Sequence, residues 1–230
     1  MWPNEMGRFN MAAYKKSAEM RNNILQAMKR LVLEKGYGKT GIKDIAEYLG
    51  IPRSLVYYYF DHKHSIMQEI YAQRFSEVSQ IVSTVLPLGK EPIVRLMLGY
   101  LVFSRKIVWN PLFTEFIVAE PNFPALGKAE TADQIVQYYD DSRDAFIYYG
   151  KPTDGKDFLI HAIMLESIGR ALISSKYYGV LELSEYEVME CVGERVVMPT
   201  FNLSKEKLKA ALERTFVLAE QIKEEGEDGI

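Results

Sequence analysis

Between Arg53 and Tyr59 the chain reads Arg-Ser-Leu-Val-Tyr-Tyr-Tyr. One guanidinium and four hydroxyls in so short a stretch make a dense set of hydrogen-bond donors. Tyrosine hydroxyls donate to phosphate oxygens while their rings pack, and an arginine makes a paired contact to guanine. On a helix three adjacent side chains point in different directions, so the three tyrosines cannot all serve a core. Other residues offer less chemistry. Gly38-Lys39-Thr40 imitates the end of a phosphate-binding P-loop, but where that pattern requires an earlier glycine this chain has Leu33, which excludes a nucleotide hydrolase of that type. His62 and His64 flank Lys63, a spacing that puts them on different faces of a helix. With a single cysteine and three histidines in the whole chain, no disulfide, metal site or cofactor is expected. Cys191 sits beside Glu190 and Glu194 with Arg195 opposing them, surroundings that suit a bland thiol better than a reactive thiolate.

Short helices must position this donor-rich segment. Apolar residues recur at helical spacing through Met20, Ile24, Ala27, Met28, Leu31 and Val32 and stop at Gly36, which predicts a first helix over roughly Ala12 to Lys35. Thr40 offers a hydroxyl to cap a second helix, with Ile42, Ile45, Ala46 and Leu49 as its inner stripe and Gly50 at its end. Ile51 and Pro52 turn the chain, because proline cannot continue a preceding helix but can open the next one, and a third helix follows over about Arg53 to Tyr59. Asp61 stands where a carboxylate caps a fourth helix with Ile66, Ile70 and Phe75 inward. The second and third helices have the proportions of a helix-turn-helix, in which the second member enters the major groove and the first lies across the phosphate backbone.

Further along, helical patterns are interrupted at Pro87 to Pro92, at Asn110 and Pro111, at Glu120 to Pro124, at Gly150 to Gly155 and around Pro199. No alternating strand pattern intervenes, so the expected class is all-α. The stretch from Phe158 to Ser175 carries only Glu166 and Arg170 as charges, and a helix so apolar must be covered on more than one side. A last helix opens at Ser204 and aligns Leu208, Ala211, Leu212, Thr215, Phe216, Ala219 and Ile222 on one face.

The whole chain has 230 residues, 48% hydrophobic and 26% charged, enough for a buried core and unlike a disordered chain. Its uninterrupted apolar runs fall short of the ~18 residues that span a bilayer, and its N-terminus lacks the ordered pattern of an export signal. No membrane association and residence in the cytoplasm are the expectations. Charge divides unevenly: residues 1–75 hold 12 Lys or Arg against 7 Asp or Glu, and residues 76–230 hold 16 against 24. A basic module on an acidic body suits a polyanionic partner. The early basic residues Arg8, Lys15, Lys16 and Arg21 could form an arm reaching a minor groove or neighbouring phosphates.

From Ile24 to Ile66 the residues also follow a known order: an apolar first helix, Lys35-Gly36-Tyr37, then Thr40, Ile42, Lys43, Asp44, Ile45 and Ala46, then Gly50-Ile51, then Val56-Tyr57-Tyr58-Tyr59-Phe60 followed by Lys63. In this the chain resembles the TetR family of bacterial transcriptional regulators. The resemblance covers about sixty residues and implies a helix-turn-helix DNA-binding domain over 1–75 and a helical effector-binding and dimerisation domain over 76–230. It implies that Tyr57, Tyr58 and Lys63 hold backbone phosphate, with Tyr59 adding a third hydroxyl. Lys43 matches a frequently basic position, and Thr40 with the amides behind it meets another phosphate at a helix N-terminus. Arg53, Ser54 and Leu55 match positions that reach base edges, Leu55 through a thymine methyl. Pro52 and Ser54 depart from the family, where a capping hydroxyl and a glycine are more usual, so the angle of this helix can differ.

The body is rich in aromatic residues, among them Tyr100, Phe103, Trp109, Phe113, Phe116, Tyr138 and Tyr139. Apolar walls with a few polar groups suit a small molecule, and a site between the central helices formed by Tyr100, Phe103, Phe116, His161 and Leu165 is expected. The expected partners are a palindromic double-stranded DNA operator, an unknown small-molecule effector and a second copy of the chain, paired through Phe158 to Ser175 and Leu208 to Ile222. The resemblance implies repression relieved by the effector. An enzyme using Glu166, His161 or Asp157 is the main alternative, but no assembled nucleophile, base and orienting partner is recognisable. A protein-interaction module built on the tyrosine-rich helix is another.

Overall fold

A computed structural model describes residues 4–119 and 140–222, with side chains from Tyr14 onward apart from positions 170 and 173. The expected break at Glu120 to Pro124 and the aromatic residues Tyr138 and Tyr139 lie outside the described residues, as does the side chain of Arg8. All regular structure among the described residues is helical. Contacts divide the chain into two units, one reaching to Gln73 and the other beginning at Arg74.

The first unit is built from α1 (Asn4–Lys35), α2 (Ile42–Leu49), α3 (Arg53–Tyr59) and the start of α4 (Lys63–Val85). Its core is the apolar stripe of α1, with Ile24, Leu25, Ala27, Met28, Leu31 and Val32 all buried, closed by Tyr37, Ile45, Ala46, Val56, Phe60, Ile66, Met67 and Ile70. Helix α1 starts eight residues before the expected Ala12, because nothing between Asn4 and Ala12 stops a helix, although the apolar periodicity begins only at Met20. Two caps differ from expectation. Thr40 is buried and its hydroxyl donates to the Gly36 carbonyl at 2.8 Å. Gly41 caps α2 instead, its amide donating to the Asp44 carboxylate at 2.8 Å. At α4 the cap is His62 rather than Asp61: its Nδ1 accepts from the Ser65 amide at 3.1 Å. With His62 outside the helix its ring meets His64 edge-on at 5.8 Å, so the two histidines are neighbours after all. Among the described residues no group of three His, Cys, Asp or Glu could hold a metal ion.

In the second unit, α5 (Pro92–Phe103) is the central helix, buried from Pro92 through Leu98 and again at Leu101 and Val102. A π-helical turn at Ser104–Val108 leads to α6 (Pro111–Ala119). Then follow α7 (Asp140–Tyr148), α8 (Lys156–Tyr177) and α9 (Glu185–Val192), the last capped reciprocally by Ser184 and Glu187. Pro199 does not interrupt the chain as expected. A second π-helical turn at Gly193–Val197 carries the helical path into α10 (Met198–Phe201), where proline occupies the first turn and has no amide to lose. The helix ends instead at Asn202, whose φ is 49°. Helix α11 (Lys205–Ala219) opens at Ser204, as its sequence indicates, with the Ser204 hydroxyl accepting from the Lys207 amide.

Two expectations about surfaces change. The apolar side of α11 is spent inside the subunit against α5, through Leu208, Ala211, Leu212, Thr215 and Leu218, leaving Val217 as its exposed large apolar residue. Helix α8 is the reverse. It is long and apolar enough to cross a membrane by length and composition alone, although Glu166 and Arg170 interrupt it, and only a quarter of its apolar stretch is buried. Phe158, Ala162 and Leu165 face the unit, whereas Ile160, Ile163 and Met164 face outward.

The second unit also holds a buried charge. Arg95, 2% exposed, pairs through Nε with Asp141 of α7 at 2.8 Å, donates through Nη2 to the Ser83 hydroxyl at 3.1 Å, and donates through Nη1 to the Leu86 carbonyl. One side chain thus ties the end of α4 to α5 and α7. Burial pushes the Asp141 carboxyl up to about 6, against the opposing pull of Arg95. A folded value above the unfolded one means that this group stabilises the fold most below the ordinary carboxylate range, and that the contribution is lost as pH rises through 6. Urea unfolding at pH 5 and pH 7.5 tests this. Relative to Asp141→Asn, the wild-type chain is expected to lose on the order of 1 kcal/mol between the two pH values, and parallel behaviour of the two proteins would refute it.

Candidate nucleic-acid interface

Helices α2 and α3 are joined by Gly50, Ile51 and Pro52. Gly50 adopts φ 64°, a left-handed conformation that a side chain would strain, and Ile51 donates to the Ala46 carbonyl at 3.0 Å to close the turn. Pro52 then stands as the cap of α3, its carbonyl accepting from Leu55 at 3.0 Å.

Only one residue of α3 is buried, Val56. The rest of the helix is a donor surface. Arg53 and Ser54 are exposed, Leu55 is half-buried, and Tyr57 and Tyr58 are 54% and 76% exposed. Tyr59 is half-buried and meets Tyr58 edge-on at 5.0 Å. No acidic residue lies on α3, so an approaching polyanion meets hydroxyls, a guanidinium and no opposing carboxylate from this helix. On α2, Lys43 is exposed beside Glu47, 3.6 Å away, a solvated pair that leaves the ammonium available. Asp44 is engaged by Lys35, whose hydrogen bond, with that of the Gly41 amide, holds its carboxyl below the usual range.

Three residues behave otherwise than their types suggest. The Thr40 hydroxyl is turned inward and satisfied by Gly36, so the expected phosphate contact from this side chain is corrected. Lys63 is partly engaged within the unit: its Nζ donates to the Tyr37 carbonyl at 2.9 Å and stands 4.2 Å above the Tyr37 ring. Arg21, offered with Lys15 and Lys16 as part of a DNA-reaching arm, is held by the Glu69 carboxylate and the Tyr59 carbonyl, whereas Lys15 and Lys16 are exposed. No sequence pattern announces the Arg21 contacts, since their partners lie 38 and 48 positions away.

In the second unit, four of the five expected effector residues lie on or against α8 or α6, and Phe103 packs elsewhere against Phe75. His161 is buried, its Nδ1 3.2 Å from the Thr200 hydroxyl, with Phe146 and Phe201 centred 5.3 and 5.5 Å from its ring. Burial lowers its pKa to about 4, so the ring is neutral near pH 7, and its buried Nε2 has no protein partner. Leu165 is buried one turn further along α8. Tyr100 meets α8 at Gly169, two turns and roughly 12 Å beyond His161. A Cβ at Gly169 would lie 2.6 Å from the Tyr100 hydroxyl, so glycine makes room for the phenol there. Burial, with Cys191 nearby, raises the phenol above its ordinary pKa. Phe103 packs edge-on against Phe75 at 6.0 Å, and Phe116, on α6, is fully buried.

Residues 24–70 match the family model of the bacterial regulatory proteins, tetR family. Among solved structures the chain superposes on RolR in complex with the ligand resorcinol with a TM-score of 0.58, at 14% identity over 88% of this chain and 95% of that one. It superposes on a transcriptional regulator of the TetR/AcrR family from Thermobifida fusca YX-ER1 with a TM-score of 0.52, at 21% identity over 80% and 97%. At these identities the likeness is one of fold. No curated protein matches in sequence.

The engagement of Lys63 has a consequence for the isolated protein. Lys63→Met removes a charge-assisted hydrogen bond and a cation–π contact, and urea unfolding is expected to register a loss of about 1–2 kcal/mol. An unchanged unfolding midpoint and slope would show that this lysine has no structural share.

Proposed function

We infer from the match of residues 24–70 to the tetR family of bacterial regulatory proteins that the chain is a transcriptional regulator that represses by binding a palindromic operator as a dimer and is released by a small molecule. The observation that carries the DNA-binding assignment is the exposure of Arg53, Ser54, Tyr57 and Tyr58 around a helix anchored by one valine. Tyr57, Tyr58 and Lys43 would hold phosphates, with Lys63 and Tyr59 adding donors once their internal contacts are shared. Arg53, Ser54 and Leu55 would meet base edges.

Support for a dimer comes from α8. Its outward side carries Ile160, Ile163 and Met164, then the smaller Ser167 and Ala171, all exposed. These positions recur at helical spacing, and an apolar stripe of this kind on a regulator is matched by a second copy of itself about a two-fold axis. Two reading heads then sit about 34–36 Å apart, or a multiple of it, to occupy successive major grooves. A ligand that prefers a different dimer geometry lowers operator affinity, and DNA lowers ligand affinity by the same factor.

For the effector, the neutral His161 ring with its unpartnered Nε2 among Phe146 and Phe201 favours an uncharged molecule carrying a hydrogen-bonding group. Resorcinol, the ligand in the RolR structure, has that chemistry and is a reasonable first probe.

Two measurements test the proposal. Selection from random duplex DNA is expected to enrich an inverted repeat, and Arg53→Ala is expected to relax base preference at one position per half-site by roughly 1–3 kcal/mol. Recovery of no common sequence would reject operator binding. Ala171→Arg is expected to yield a folded monomer by analytical ultracentrifugation with operator affinity reduced by orders of magnitude, and a variant that stays dimeric would remove α8 from the interface.

A further inference from the structure

A helix of seven residues with one fully buried side chain, Val56, and two half-buried ones, Leu55 and Tyr59, is weakly held. So few buried atoms constrain its position more than its tilt. A second anchor stands at its C-terminal end. The guanidinium of Arg21, on α1, donates through Nη1 to the carbonyl of Tyr59, the last residue of α3, at 3.1 Å. Its face lies 4.3 Å from the ring centre of Phe60, the buried residue that follows. Its other edge meets Glu69 of α4 as a fork, Nε to Oε1 at 3.1 Å and Nη2 to Oε2. One planar group therefore joins α1, α3 and α4, and the rigid geometry of guanidinium makes each contact constrain the others.

The energetics point away from a simple stabilising role. The Arg21 and Glu69 side chains are 42% and 26% exposed, and pairs so open to solvent contribute little to stability. What the fork supplies is orientation. An unpaired carbonyl at the end of α3 can be satisfied by water, but only a fixed donor holds that end at one height above the rest of the unit. We propose that Arg21, oriented by Glu69, is a positioning residue for sequence readout, setting the tilt of α3 without touching DNA. This rests on the assignment of α3 as the helix that reads the duplex. Phosphate contacts tolerate small changes of tilt because they attract at a distance, whereas paired contacts to base edges do not. The consequence of losing the anchor therefore falls on discrimination between sequences.

The test measures affinity of the full chain for its selected operator and for a random duplex of equal length, each across a salt series. Arg21→Gln is expected to lower the ratio of the two affinities by about tenfold, with random-duplex affinity and its salt slope unchanged. Glu69→Gln is expected to act in the same direction, and Arg21→Lys, which keeps the charge but not the fork, to restore little of the ratio. If Arg21 instead contacts phosphate, Arg21→Gln weakens both affinities alike and lowers the salt slope by roughly one, while Glu69→Gln, by releasing the guanidinium, strengthens both. Either that pattern or an undiminished ratio overturns the proposal. Should Arg21→Gln fail to fold, Glu69→Gln and Arg21→Lys decide between the same outcomes. A wild-type chain that does not distinguish operator from random duplex would refute the assignment of α3 itself, an outcome separate from retention of specificity by the variants.

Discussion

A helix of two turns cannot sustain itself in water, since nucleation costs more than so few hydrogen bonds return. That constraint governs the first unit. Helix α3 exists because Val56 is buried, because Gly50 and Pro52 deliver the chain at the right angle, and because Arg21 donates to its final carbonyl. The scarcity of buried side chains is also what makes the helix useful. A segment that contributed more to the core would have fewer residues to present to a partner, and Arg53, Ser54, Tyr57 and Tyr58 are exposed because the surrounding helices provide the hydrophobic burial instead.

The second unit meets a different problem, that of holding several helices around a very apolar α5. It does so partly with a charge. Burying Arg95 is costly unless its charge is met, and Asp141 of α7 meets it as an ion pair while Ser83 of α4 and the Leu86 carbonyl just beyond that helix accept from Nη2 and Nη1. An apolar residue there would satisfy the core but could not specify which turn of α4 or α7 lies alongside. Helix α8 shows the opposite imbalance. Its inward side is satisfied by Phe158, Ala162 and Leu165, and its outward side is more apolar than an isolated subunit requires.

Much of the first unit was legible because its signals are local. The stripe of α1, the Gly50 to Pro52 turn, the limits of α3 and the outward tyrosines all follow from the spacing of residues within a few turns. The Ser204 cap of α11 is of the same kind. Misreadings occurred where two local solutions compete. Thr40 has the hydroxyl of a cap but turns back to Gly36, and the carboxylate of Asp44 serves the amide of Gly41 from within the helix. His62 displaces Asp61 at α4 because an imidazole nitrogen accepts as well as a carboxylate oxygen does. Pro199 marks a break in most sequences, but after a π-helical turn it falls where no amide is required.

By itself, the order of residues determined where helices form, which sides of them are apolar, and that α3 presents donors, since each depends on periods of three to four residues. The tertiary structure decided the partners of the charged groups and which turn of α8 Tyr100 meets relative to that of His161. Arg21 meets Glu69 across 48 positions, and Tyr100 meets α8 at Gly169 whereas His161, two turns earlier on α8 itself, faces Thr200. No local pattern encodes such pairings, because a long side chain carries no record of which distant backbone or carboxylate will be within its reach until helices have packed.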